Sequence, residues 1–349
     1  MQATEPKIEV VIPNWNGWQM LSHCLQSLER QSFQEFAVIV VDNGSTDDSV
    51  KLLREKYPFI QLVVFSENTG FSVAVNAGIE ASSAPLVLLL NNDMEVAPDC
   101  LQLLYEASIE HKEYDFFALK MLNYHKREII DGAGDAVLRG GVGYRLGTME
   151  IDGPAYSRDR EVFGACAGAA LYRREFFDTV GTFDEDFFAY VEDVDLNIRA
   201  RRLGMRCLYL STAQVFHIGS ATSGSKINPF TIRLSTRNNF YVLLKNYPLS
   251  YFFKFLLALI VYQIMWFVFC CKKGNIGAWC KGIVAVFSSL KMTLSKRRNI
   301  LENTDKVQHE TLAKQIVASE KEAIHSIISR RTQQGKTSRT LQLYLRLFL

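Results

Sequence analysis

The first third of the chain alternates short aliphatic runs with amphipathic segments. Runs at about 7–12 (KIEVVI), 37–42 (AVIVVD), 60–65 (IQLVVF) and 85–90 (PLVLLL) read as strands, and the segments 17–31, 47–56 and 71–82 between them read as helices. This β-α-β-α-β-α-β order predicts a parallel sheet covered by helices on both faces. Leu86–Leu90 is aliphatic at every position, as expected of a strand buried on both sides.

Each predicted strand runs out into polar residues. Pro13-Asn14-Trp15-Asn16-Gly17 follows the first and Asp42-Asn43-Gly44-Ser45-Thr46-Asp47-Asp48 the second, where Ser45 and Asp48 have the spacing of a capping box. Asn68-Thr69-Gly70-Phe71 follows the third, and Asn91-Asn92-Asp93 the fourth. Open α/β sheets bind ligands at the carboxyl ends of their strands. There, Asp93 is a candidate to hold a divalent cation on a nucleotide diphosphate, because Mg²⁺ takes one or two carboxylates plus substrate phosphates. A plain Asn/Asp turn would also end a strand this way. No GxGxxG or GxxxxGK[ST] occurs, which removes dinucleotide-binding and P-loop chemistry but leaves a nucleotide-binding edge.

Downstream the pattern is less regular. Residues 121–160, rich in Gly and charge, predict a hairpin excursion, and the small residues Gly164–Ala170 lead into a strand. Small side chains let a ligand or another backbone approach closely. Glu192-Asp193 opens a helix that runs through Leu196, Ile198 and Leu203 and stops at Gly204. Acidic residues in a first helical turn complement the helix dipole. Here, however, the pair follows Phe187-Phe188-Ala189-Tyr190, which can shield a carboxylate from water and make it a stronger base. His217 ends a predicted strand, and the Gly/Ser-rich loop Gly219–Ser225 is a candidate to close over a ligand. Arg233 and Arg237, four apart on a helix, are candidates for a diphosphate.

Residues 251–271 (YFFKFLLALIVYQIMWFVFCC) carry one charge, with an apolar core from Phe255 of about 17 residues, near the lower limit for a spanning helix. The next segment, 276–294, places Ile276, Trp279, Ile283, Phe287, Leu290 and Leu294 on one stripe with Lys281 and Lys291 off it, as in an interfacial amphipathic helix. The pattern predicts membrane attachment with basic flanks on the cytoplasmic side and leaves open whether 251–271 spans or re-enters; a buried helix pair is the alternative. Charge agrees: residues 1–250 hold 23 Lys+Arg against 32 Asp+Glu, and residues 251–349 hold 16 against 5. A basic tail suits nucleic acid or an anionic membrane. The apolar segment before it selects the membrane, so no nucleic-acid partner is expected. Seven irregularly spaced cysteines argue for a reducing compartment, and the N-terminus has no secretory signal pattern.

Taken in order, VVIPNWNG, VVDNGSTDDSV, NTGFSVAVNAGI and LLLNNDM closely resemble the family 2 glycosyltransferases, and within them the bacterial rhamnosyltransferase branch, over about residues 7–248. The resemblance implies a GT-A fold: a mixed α/β sheet flanked by helices, with residues 1–120 as the nucleotide-binding half and 121–248 as the acceptor half. Residues 249–295 would then be membrane-attached helices and 296–349 a basic helical tail. It implies that Pro13, Asn14 and Asn16 line the nucleotide site, that Asp42 bonds the base or ribose, and that Asn68 and Gly70 close over the nucleoside. Asn91 stands at the first position of the family's Asp-x-Asp motif, leaving Asp93 the only carboxylate there; Asn92 lies between them. His217 would join Asp93 on Mg²⁺ or Mn²⁺, Arg237 would meet the diphosphate, and Asp193 would be the catalytic base, with Glu192 as alternative or acceptor partner. The implied activity is inverting transfer of a sugar, expected to be L-rhamnose from dTDP-L-rhamnose, to a polyprenyl-diphosphate-linked acceptor at the cytoplasmic face of a bacterial inner membrane. A UDP-hexose donor, a non-lipid acceptor and a silent nucleotide-sugar-binding scaffold are the alternatives.

Overall fold

The computed structural model describes residues 5–219, 227–302 and 305–349. The half expected to bind nucleotide runs β1 (Ile8–Asn14), α1 (Trp18–Glu29), β2 (Phe36–Asp42), α2 (Ser49–Lys56), β3 (Gln61–Val64), α3 (Phe71–Ala81) and β4 (Leu86–Leu90). The next segment holds β5 (Met94–Val96), α4 (Cys100–Glu110), β6 (Phe116–Asn123), β7 (Ile130–Ala133), β8 (Asp135–Leu138), β9 (Val142–Arg145) and β10 (Arg160–Val162). Then come β11 (Ala169–Arg173), α5 (Arg174–Val180), α6 (Glu192–Arg202), β12 (Cys207–His217) and α7 (Pro229–Asn246). The remainder is helical: α8 (Leu249–Lys254), α9 (Leu256–Lys272), α10 (Ile276–Ser288), α11 (Leu290–Glu302), α12 (Lys306–Gln333) and α13 (Arg339–Phe348).

One sheet carries both halves, in the order β10-β12-β6-β11-β4-β1-β2-β3, with β5 beside β12 and β7 beside β6. The strands β4, β1, β2 and β3 are parallel, whereas β11 runs antiparallel between β4 and β6 and so makes the sheet mixed. Alternate residues face two separate cores. Val11, Ile39, Val41 and Leu89 pack with Val75 and Ile79 of α3, while Val10, Ile12, Val40 and Leu88 pack with Leu21, Leu25 and Leu28 of α1. Burial on both faces is why these strands tolerate no polar alternation.

The tail closes over the β8–β9 hairpin. Ser319 Oγ accepts a hydrogen bond from Val137 N at 2.8 Å, and Ser326 Oγ one from Gly147 N at 3.0 Å. Glu320 pairs with Arg139 and accepts from Tyr344 Oη at 2.6 Å, and Glu150 accepts from Ser329 Oγ at 2.6 Å.

Among the described residues no helix is long and apolar enough to cross a membrane. The apolar stretch 251–271 is broken at Phe255 into α8 and the 17-residue α9. At 1.5 Å per residue α9 spans roughly 25 Å, short of a hydrocarbon core of about 30 Å. Small residues Ala278, Gly282 and Val286 form the buried face of α10; a Cβ on Gly282 would lie 2.8 Å from Arg233 O of α7. The larger stripe members Ile276 and Phe287 are exposed.

Replacing Glu320 with Ala strands the Arg139 guanidinium in a closed interface, and the expected cost is about 3 kcal/mol. Thermal melting of the full chain should fall by several degrees; an unchanged midpoint would show that the tail is not fastened by this pair.

Candidate active site

The four polar loops converge at the carboxyl edge of the parallel strands, on a cleft of about 1060 Å³. Pro13, Asn14, Asn43, Asn68, Gly70, Asn91, Asn92 and Asp93 all line it. In-register pairing of β1 with β2 sets Asn14 beside Asp42, and Asn14 Nδ2 donates to Asp42 Oδ1 at 3.1 Å. Asn92 Nδ2 in turn donates to Asn14 Oδ1 at 2.8 Å. Gly70 sits at φ +93°, and a Cβ there would meet Phe188 O at 2.6 Å, so this turn admits no side chain.

Two of the expected nucleotide contacts spend their side chains on structural hydrogen bonds instead. Asp42 does not line the cleft: it is fully buried, its carboxylate accepting from Asn14 and from Ser45 N at 2.9 Å. Asn16 turns away, its Oδ1 accepting from Thr46 N at 2.7 Å and Asp47 N at 3.2 Å, which locks the first loop to the second. The expected capping box does not form, because Ser45 Oγ accepts from Asn16 N and Asp48, not Ser45, precedes the helix at Ser49.

At the end of the fourth strand's loop, Asp93 Oδ1 is buried with no hydrogen-bond partner among the described residues. His217 Nε2 lies 3.3 Å from Asp93 Oδ2, and its Nδ1 lies 2.7 Å from Asp131 Oδ2. Asp131 is also paired with Arg145. Burial disfavours the imidazolium, but the bonds to Asp131 and Asp93 outweigh it and hold His217 protonated up to about 9. An orphaned carboxylate oxygen beside an imidazole oriented by a second carboxylate fits a divalent cation. Such a cation would displace the Nε2 proton.

Glu192 and Asp193 enter the same cleft at the start of α6. They are delivered by a strained loop in which Phe188, Tyr190 and Val191 have φ of 64°, 70° and 72°. Asn238, fully buried on α7, holds this loop: its Nδ2 lies within 3.0 Å of the carbonyls of Phe187, Ala189 and Tyr190. Arg237 does not reach the cleft. Its guanidinium donates to the carbonyls of Asp186 and Phe187 at 2.9 and 2.7 Å, so it braces the loop rather than meeting a diphosphate. Arg233 is exposed. Residues 220–226, most of the expected closing loop, lie outside the described residues.

Sequence reasoning missed three further groups here. Asp135 from β8, Arg145 from β9 and Cys166 from the small-residue run line the cleft beside Asp193. One ligand atom each from Asp135, Cys166 and Asp193 lie within 4.8 Å of one another. Burial raises the Asp193 carboxyl, partly offset by Arg145; burial and then the Asp193 charge raise Asp135 and Glu192.

The description "Glycosyl transferase family 2" matches residues 9–181, the span that supplies every strand-end loop of the cleft. The chain belongs to this family. This family 2 glycosyltransferase is similar to the N-acetylglucosaminyl-diphospho-decaprenol L-rhamnosyltransferase of Mycobacterium tuberculosis, 27% identical over 239 residues, 62% of this chain and 78% of that protein. The O-antigen biosynthesis protein RfbC of Myxococcus xanthus is 28% identical over 227 residues, 62% of this chain and 18% of that protein. A crystal structure of S. aureus TarS in complex with UDP superposes with a TM-score of 0.53 at 19% identity, covering 95% of this chain and 93% of that one, a likeness of fold.

Asn238→Ala removes the loop's shared donor, and left-handed non-glycine residues cost about 1–3 kcal/mol each to hold. Hydrogen exchange at the Phe188 and Ala189 amides should quicken by about tenfold or more. Unchanged protection would mean that the loop holds itself.

Proposed function

We propose that this glycosyltransferase is an inverting, metal-dependent enzyme that moves a sugar from a nucleotide diphosphate to a hydroxyl of a lipid-linked saccharide. The observation that carries the reading is that Asp93 and Asp193 line one cleft, Asp93 with an unsatisfied oxygen and Asp193 with its carboxyl raised by burial. Asn14, Asn43, Asn68 and Asn92 line the donor end. Asp93 and His217 would hold Mg²⁺ or Mn²⁺, which when bound neutralises charge developing on the leaving diphosphate. Asp193 accepts the proton of the acceptor hydroxyl as its oxygen bonds to the anomeric carbon and the bond from that carbon to the diphosphate breaks. Inversion follows from this single displacement.

The L-rhamnosyl group and the polyprenyl-diphosphate acceptor follow the mycobacterial relative's name, and dTDP-L-rhamnose is the donor we propose for that group. A UDP-hexose donor is the competing choice. Asp193→Asn should lower transfer by at least about 10²-fold while nucleotide binding by calorimetry is kept. Asp93→Ala, or chelation by EDTA, should abolish transfer, and Mn²⁺ should restore activity only to the wild type. Retained turnover in Asp193→Asn would refute the base; turnover in EDTA would refute the cation.

A membrane surface is the proposed workplace. On α8 and α9, Phe253, Leu256, Ile264 and Met265 are each more than half exposed, and Phe287 of α10 is 72% exposed. Exposed Lys254, Lys272, Lys273, Lys281 and Lys291 accompany them, the composition of a face that lies in an anionic interface. The cytoplasmic leaflet of a bacterial inner membrane supplies both the anionic lipid and the polyprenyl acceptor. The full chain should float with phosphatidylglycerol vesicles and less with phosphatidylcholine alone. The pair Ile264→Glu and Met265→Glu should abolish flotation without altering nucleotide binding. Flotation indifferent to these changes would place the lipid contact elsewhere.

A further inference from the structure

The proposed transfer uses one carboxylate at the acceptor end, yet the cleft supplies two more, Glu192 next to it in sequence and Asp135 from β8. Asp135 is 6% exposed, lines the cleft, and leaves Oδ1 without a hydrogen-bond partner among the described residues. A buried carboxylate oxygen left unsatisfied is costly, and native structures retain one where a ligand completes it. Its backbone, by contrast, is fully used, exchanging hydrogen bonds with Gly164 at 2.8 and 3.1 Å. That pairing fixes β8 against the small-residue run and aims the side chain at Asp193.

Spacing defines what fits between them. The ligand atoms of Asp135 and Asp193 lie within 4.8 Å of each other. Hydroxyl-to-carboxylate bonds are about 2.7 Å long, so two hydroxyls on adjacent ring carbons can each reach one of the two. A cation is the other occupant such a cluster suggests. It is disfavoured here because the Arg145 guanidinium already acts on both carboxylates, and a second positive charge would work against it. The side chains of Cys166 and Ala167 and the backbone of Gly168 line the same wall and leave room for a sugar ring.

We propose that Asp135 and Asp193 together grip a vicinal diol of the acceptor, Asp193 taking the proton of the attacking hydroxyl and Asp135 bonding its neighbour. This deepens the function proposed above and rests on Asp193 being the base. It also narrows the acceptor. In an N-acetylglucosamine linked through a diphosphate at C1, with the acetamido group at C2, the only vicinal hydroxyl pair is O3 and O4. One of these is the nucleophile and the other the anchor.

The test uses farnesyl-diphosphate-linked N-acetylglucosamine and its two monodeoxy derivatives, lacking O3 or O4, with the full-length enzyme. With wild type, one derivative should give no product and the other a kcat/KM at least about tenfold below the parent, since a site built to bond a hydroxyl rejects an analogue lacking it. Asp135→Ala should lower kcat/KM for the parent through acceptor KM, keep donor KM, and turn over the surviving monodeoxy derivative as well as the parent. Absence of any penalty on that derivative with wild type would overturn the proposal even if Asp135→Ala failed to fold. An Asp135→Ala enzyme with wild-type kinetics, or with the same deoxy penalty, would overturn it too. Wild type inert on the parent acceptor would instead bring down the lipid-acceptor reading, and this inference with it.

Discussion

The buried carboxamide of Asn238 carries the geometry of the loop that delivers Glu192 and Asp193, the acceptor end proposed above. Three non-glycine residues in the left-handed region would not stay there unaided, and the loop they form is the only link between the short helical turn at Glu185–Phe187 and the first residues of α6. Asn238 offers its amide to three carbonyls of that loop, and Arg237 adds two more bonds from the same helical turn. On its other side the loop leans on the nucleotide half, through Ser72 N to Phe188 O and through the close approach of Phe188 to Gly70. The loop therefore registers the state of both halves at once.

Acidic groups outnumber basic ones around the cleft. Asp93, Asp135, Glu192 and Asp193 line it and Asp131 stands behind them, with Arg145 and His217 as the positive groups among them. His217 stands between two carboxylates, and Arg145 serves Asp131 while acting on Asp135 and Asp193. Such an arrangement favours the cation and the proton that the proposed function assigns to this side.

Legibility in the sequence followed the range of the interactions. The strands and helices of the first 120 residues are written in local aliphatic runs, and the observed boundaries fall within two residues of the expected ones at most ends. The donor loops were readable for the same reason, since strand-end residues are placed by the strand that precedes them. Roles of individual polar residues were less so. Asp42 and Asn16 have the right address but spend their oxygens on neighbouring loop groups, Asp42 on the Asn14 carboxamide and Ser45 N and Asn16 on backbone amides, which no pattern announces. Arg237 and Asn238 are neighbours, and only packing decides that the amide goes fully inside. Asp135 and Arg145 sit in a segment without periodicity, and their placement depends on Gly164 and on the distant tail.

The dependence on that tail has a consequence for biosynthesis. The hairpin bearing Asp135 is bonded to Ser319 and Glu320, some 180 positions downstream. A nascent chain can assemble its donor edge early, as domains form from the N-terminus on the ribosome. Its acceptor wall gains its backing only after α12 has emerged. A prematurely terminated product would thus present an intact nucleotide pocket beside an unsupported wall, and would sequester donor without a finished place to deliver it.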